Sequence, residues 1–449
     1  MHSARRGGRE NRWLGLLPAA LLGVGVACGG AEVAPAPEEQ PVEETSPGLP
    51  DGAEASSGAP EAQRPSRPRA WAQVLGGPQD DSGTGVAVGQ GGDVVLVASS
   101  TPRSDEDREP VEGERLALTL ARYSPKGTLR WSREFVRDRL SGTRVAASGD
   151  GAVFLSGNAF LYPADFGLGA AQDGFLVRFS PDGEPQWQKR VGQKVHGVAA
   201  DAVGGVLAAG EEWAAEVRDP VLTRYGADGS VRWTRRFEGT GEGTVLGAVA
   251  LAPSGMAVLA GQLADTLEVD GRTFGTRGVR GFVVLAFSEA GRLAWGKALP
   301  GVRGRVTSVA AGADGAVTVA GTFSGLLVWG GASLGTPGPF VLGVGADGAE
   351  RWLKQPACGP VTDLGPVAAV EDEGPVAVAC GSMLTRYAAN GAWLEEQQVP
   401  VASCESGRCT LAAAGMAGVP GRGLAVTGWQ RDGAGTTWNQ DAFLRLVVP

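Results

Sequence analysis

Histidine is nearly absent from these 449 residues: there are two, and with His2 at the start, His196 stands alone in the body of the chain. A Ser-His-Asp or Cys-His arrangement would have to use that one residue. A histidine-based metal cluster is excluded. Lysine is scarce too, with five residues, at 126, 189, 194, 297 and 354. No basic tract appears and the formal charge is −9, which argues against nucleic acid as a partner. The five cysteines include no Cys-x-x-Cys pair, so zinc and redox motifs have no footing. The apolar run 13–26 has fourteen residues, short of the roughly 20 that a helix needs to cross a bilayer.

That run belongs to an address. Arg5, Arg6, Arg9 and Arg12 form a positive n-region ahead of WLGLLPAALLGVGV, an apolar stretch of signal-peptide length. It ends in Gly-Val-Ala-Cys, which resembles a bacterial lipobox, although Gly25 stands where that pattern favours Leu. The resemblance implies cleavage before Cys28, lipid attachment to Cys28 and a new N-terminus there. Such lipoproteins stay at the inner membrane when Asp follows the Cys; Gly29 follows here, which directs the expectation to the outer membrane. Residues 31–69 carry eight Pro and seven Glu and no aromatic side chain. Such a segment cannot bury enough apolar surface to offset its ordering entropy, and reads as a tether. The expected organisation is a signal peptide over 1–27, a lipidated Cys and Pro/Glu-rich tether over 28–69, and a folded body over 70–449.

The body repeats itself. ADGSVRW (227–233) has near copies in SPKGTLRW, SPDGEPQW, SEAGRLAW and GADGAERW, with turn glycines at 127, 183, 229, 291, 348 and 391, spaced by 43 to 62 residues. An aromatic or valine stands four residues before each: Tyr123, Phe179, Tyr225, Phe287, Val344 and Tyr387. This is the signature of one structural unit built many times. Segments such as FLVRFS and VLTRYG suit strands, and the Asp-Gly or Asn-Gly that follows supplies the positive φ of a tight hairpin. Two further apolar runs precede each such pair, as in TSVAAGADGAVTVAG (307–321), which makes four antiparallel strands per unit. Four-stranded sheets stacked radially make a β-propeller.

Seven tryptophan strands begin at Trp71, Trp131, Trp187, Trp233, Trp295, Trp352 and Trp393, with Trp393 two residues early relative to its glycine. These are the expected inter-blade packing residues. AWAQVL at the start lacks its preceding strand, and DAFLRLVVP (441–449) is such a strand with none after it. The expected fold is therefore all-β, a seven-bladed propeller closed by overlap of the two chain ends, which removes exposed sheet edges.

WAQVLGGPQDDSGTGVAVGQGGDVVLVASS (71–100) resembles the seven-bladed β-propeller (SBBP) repeat. Three inserts, TFSGLLVWGGASL (322–334), QLADTLEVDGRTF (262–274) and NAFLYPADFGL (158–168), resemble the extra hairpin of SBBP-type lipoproteins of myxobacteria. The resemblance covers residues 70–449 and implies the fold. It carries no general activity, so function has to come from a site.

Few residues offer chemistry. His196, in KVHGVAAD, is expected to be structural. Cys358, Cys380, Cys404 and Cys409 permit three pairings, of which Cys358–Cys380 and Cys404–Cys409, each within one unit, is preferred. Arg122, Arg178, Arg224 and Arg386 precede the repeated aromatics; they read as an ion-pair ladder or, alternatively, as a basic ring for an anion. Arg108 and Arg115 interleave the acidic stretch SDEDREPVEGER (104–115), which reads as a solvated loop rather than a calcium site. No catalytic residue, metal or cofactor is expected. The function so inferred is that of a non-enzymatic, lipid-anchored envelope propeller at the outer membrane, monomeric, with a protein or glycan as partner. The alternative is an envelope carbohydrate-active enzyme with a carboxylate pair at the channel, which needs two acids about 5–9.5 Å apart.

Overall fold

The computed structural model describes residues 69–448, apart from 77–78, 102–116, 137–139, 215–216, 239, 360–363, 372–373, 402–408 and 434–438. The signal, Cys28, the tether, Cys404 and the acidic stretch 104–115 lie outside the described residues.

Among the described residues there are seven four-stranded antiparallel sheets. Blade 1 takes Asp80–Val88, Val94–Thr101, Ala117–Tyr123 and Leu129–Val136, and each later blade repeats that meander outward from the centre. The first strand of each blade touches the first strand of the next, and that of blade 7 returns to blade 1. The molecule is a closed seven-bladed β-propeller. Its closure joins the chain ends as the sequence implies. Trp71–Leu75 is the fourth strand of blade 7 and pairs antiparallel with the third, Asn439–Val447, placing Trp71 opposite Leu446 and Val74 opposite Phe443.

A blade cannot bury both faces by itself, and the core shows how that is solved. There are seven hydrophobic clusters, one in each gap between neighbouring blades. The middle strands are covered on both sides and so read as continuous apolar runs; Val94, Val95, Leu96 and Val97 are all buried.

The repeated tryptophans reach across these gaps. The indole N–H of Trp71 donates to Pro125 O at 3.0 Å, Trp131 to Pro181 O, Trp187 to Ala227 O, Trp233 to Glu289 O, Trp295 to Ala346 O at 2.8 Å and Trp352 to Ala389 O. Each acceptor lies in the third-to-fourth-strand turn of the next blade. The ring then lies over the turn glycine, so that a β-carbon at Gly348 would sit 2.8 Å from Trp295 Cγ. That glycine therefore answers two demands: a positive φ of 83° and room for a neighbour's indole. Glycine and tryptophan of one motif copy serve two different gaps.

Trp393 corrects the count of packing tryptophans. It pairs opposite Tyr387, the register position of Leu129 in blade 1, and is 63% exposed. The wedge position of blade 6, opposite Arg386, is Glu395. The reason is the closure: in blade 7 the third and fourth strands, Asn439–Val447 and Trp71–Leu75, are not consecutive in the chain, so among the described residues no hairpin turn joins them to offer a carbonyl and a glycine to an indole from blade 6.

The inserts of blades 4 and 5 are separate hairpins, Leu267–Val269 with Arg272–Phe274 and Leu327–Trp329 with Ala332–Leu334. Positive φ at Asp270 and Gly271, and at Gly330 and Gly331, gives both the tight turn that matches strand twist. Leu267, Leu327 and Trp329 are buried in the gaps toward the preceding blades. In blade 2 the corresponding residues form no separate hairpin; Val153–Asp165 and Ala170–Phe179 run on, and Phe166 packs against Phe135 of blade 1. Blade 6 is stapled by Cys358–Cys380, Cα–Cα 4.7 Å, which ties the segment entering the blade to its second strand. Cys409 is also disulfide-bonded; its expected partner, Cys404, falls outside the described residues.

Candidate functional site

The seven first strands enclose a central cavity of about 440 Å3. In six blades the pairing of first and second strand slips at one place, between Gly83/Gly85, Ser141/Arg144, Val195/Gly197, Leu246/Ala248, Val306/Ser308 and Ala413/Gly415. Each slip is a β-bulge, which bends the strand and re-aims a side chain. Thr84, His196, Gly247 and Thr307, at or beside these slips, all line the cavity. No sequence motif marks the bulges, because their residue types differ from blade to blade.

The bulges knit neighbouring blades together. Thr84 Oγ1 and Thr143 Oγ1 lie 2.7 Å apart, and Thr307 Oγ1 donates to Pro366 O at 2.5 Å. A β-carbon at Gly247 would lie 2.5 Å from His196 Cβ, so that glycine makes room for the imidazole.

His196 is the most chemically able group in the cavity. Its Nε2 lies 2.6 Å from Glu211 Oε1, while Trp213 Nε1 donates to Glu211 Oε2 at 3.2 Å. Glu211 is buried. Burial acts to raise its pKa, but the His196 and Trp213 hydrogen bonds and the charges of His196 and Lys194 outweigh it and hold the carboxyl below its ordinary value. A base oriented by a carboxylate is two-thirds of a nucleophilic triad. Among the described residues no hydroxyl or thiol hydrogen-bonds His196, and the triad stops there. Arg144 lines the same cavity, exposed within it, and its Nη1 donates to Thr143 O at 3.0 Å.

No carboxylate stands among the described lining residues of the cavity. Asp81 is buried to one side and accepts from Ser100 Oγ. Among the described residues no cluster of three or more metal-ligating side chains occurs. The repeated arginines are ion-paired: Arg122 with Asp93 at 2.9 Å, Arg178 with Asp150 at 2.6 Å, Arg224 with Asp201, and Arg386 with Glu371 and Glu395. Arg122 also donates to Gly151 O and Pro181 O of blade 2, tying two blades together. These four do not form a free basic ring.

Fold and cavity thus define a closed seven-bladed β-propeller whose central cavity is lined by strands bonded to one another at their bulges. Solved structures of similar architecture are diverse. The Neurospora crassa Pan2 WD40 domain shares 8% identity over 83% of this chain and 97% of its own, with a TM-score of 0.42. The Kuenenia stuttgartiensis hydrazine synthase matches 78% of this chain and 92% of its own at 12% identity and a TM-score of 0.48. An ulvan lyase of a new polysaccharide lyase family matches 84% and 96% at 10% identity, TM-score 0.46. At these identities the likeness concerns the fold alone. No protein-family model matches the chain, and no curated protein does.

Proposed function

We propose that the protein is a non-enzymatic, lipid-anchored envelope propeller, of the SBBP-repeat lipoprotein kind, that binds a protein or glycan as a monomeric scaffold at the outer membrane. The observation that carries this reading is the lining of the channel. Its described residues are mostly valine, glycine and alanine, its bulge hydroxyls are bonded to neighbouring blades, and its one imidazole is held by a buried carboxylate. The carboxylate pair needed for glycoside chemistry has no counterpart among the described lining residues. The lipid half of the proposal rests on Cys28 and the apolar run before it.

Two measurements test it together. The wild-type chain expressed in a bacterial host should take up labelled palmitate and partition into detergent, whereas Cys28→Ser should do neither. The purified protein, screened against envelope proteins and polysaccharides, should bind one of them saturably and release no product. Turnover of a polysaccharide, or wild-type protein without label, would contradict the respective half.

A further inference from the structure

The arginines of the repeat are occupied; two others are not. Arg280 stands just before the third strand of blade 4, Gly281–Phe287, and Arg303 opens the first strand of blade 5, Arg303–Ala311. Both are exposed, and neither guanidinium has a hydrogen-bond or ion-pair partner among the described residues. They line one cavity of about 280 Å3 between the two blades, together with Gln262, Phe282, Val302 and Gly304. Gln262 also lines the central cavity, so the two spaces adjoin.

The backbone fixes this arrangement. A β-carbon at Gly304 would lie 2.1 Å from Thr322 O, and one at Gly281 2.4 Å from Leu299 O, so both arginines are flanked by glycines that keep the strands close. The Arg280 guanidinium lies over Gly243, where an added β-carbon would sit 3.6 Å from Nη2. Asp265, the next residue after the lining Ala264, forms no ion pair with either arginine among the described residues; its Oδ1 accepts from the amides of Thr266 and Gly278 at 2.8 and 3.0 Å. Two unpaired cations thus share a polar recess on a chain of net charge −9. Guanidinium groups present a planar fork of donors that matches carboxylate, sulfate and phosphate oxygens. The volume stands just below the roughly 300–1,000 Å3 of ordinary ligand pockets, which suits a small ligand or a single residue of a larger one.

We infer that this recess binds an oxyanion (carboxylate, sulfate or phosphate) carried by a small polar molecule, with Arg280 and Arg303 holding the charge and Gln262 meeting a neighbouring hydroxyl. The inference deepens the binding-module reading and rests on it.

The test is calorimetric titration of the full-length protein in detergent at low salt with glucuronate, inorganic sulfate, inorganic phosphate and glucose. At least one of the three anions should bind, glucose should not, and added sodium chloride should weaken binding. Tightest binding of glucuronate marks a sugar acid as the source, and of sulfate or phosphate the ester or free ion. Arg280→Gln and Arg303→Gln should each weaken binding about tenfold or more with unchanged melting temperature, because both side chains are exposed. Arg272→Gln, on the neighbouring hairpin, should leave it unchanged. Absence of binding by all three anions, or equal binding by the double variant, overturns the inference. A failed search for a macromolecular partner leaves these titrations intact, and failed titrations leave that search intact.

Discussion

Replacing Trp295 with alanine and, separately, Trp393 with alanine sets two tryptophans of the same motif against each other. Trp295 is 8% exposed, packs in the gap between blades 4 and 5, and donates to Ala346 O at 2.8 Å. Truncating a buried Trp or Phe typically costs about 3–5 kcal/mol, transfer and cavity together. Against a domain stability of about 5–15 kcal/mol, that is roughly a fifth or more of what holds the ring. Trp393 is 63% exposed and holds no inter-blade hydrogen bond among the described residues, so its removal should stay within about 0.5 kcal/mol. Guanidinium denaturation followed by far-ultraviolet circular dichroism reads both. Equal losses for the two variants would refute the argument that ring closure leaves blade 6 without a turn to grip.

Two further predictions follow from buried groups. Cys358→Ser opens a link spanning 22 residues, and the chain-entropy view puts the cost at about 3 kcal/mol; non-reducing peptide mapping should first show the 358–380 peptide pair. Glu211 has a carboxyl pKa held below its ordinary value in the folded protein, so its contribution is present above about pH 4.3 and is lost as pH falls through the depressed folded value. Wild type should therefore lose more stability than Glu211→Gln below that pH. Parallel acid limbs in denaturation midpoints would count against the His196–Glu211 pair.

The blade was legible because its signals are local. Asp228-Gly229 needs a positive φ, the strands on either side alternate or run apolar, and the unmatched strands at 71–75 and 439–447 can complete only each other. Trp393 was misread because alignment on Gly391 carried no knowledge of the next blade, and the next blade is where a wedge tryptophan finds its acceptor. His196 was legible as a lone histidine, but its position at a bulge and its bond to Glu211 depend on a register slip that no residue type announces. The recess was not legible at all. Arg280 and Arg303 come from different blades and belong to no motif; only the stacking of those blades brings them to one cavity.

The claim on which the rest depends is that the chain ends build one blade between them. Deleting residues 441–449 removes most of the interior strand Asn439–Val447, with Phe443, Leu444 and Leu446 all buried. Each such side chain is worth roughly 1.5–3 kcal/mol, so three of them rival the whole stability of an ordinary domain. Thermal unfolding of the truncated protein, read by circular dichroism, should show no cooperative transition near that of wild type, with aggregation in its place. A truncated protein that melts like wild type would mean that Trp71–Leu75 and Asn439–Val447 do not pair, and the seven-bladed ring would be wrong.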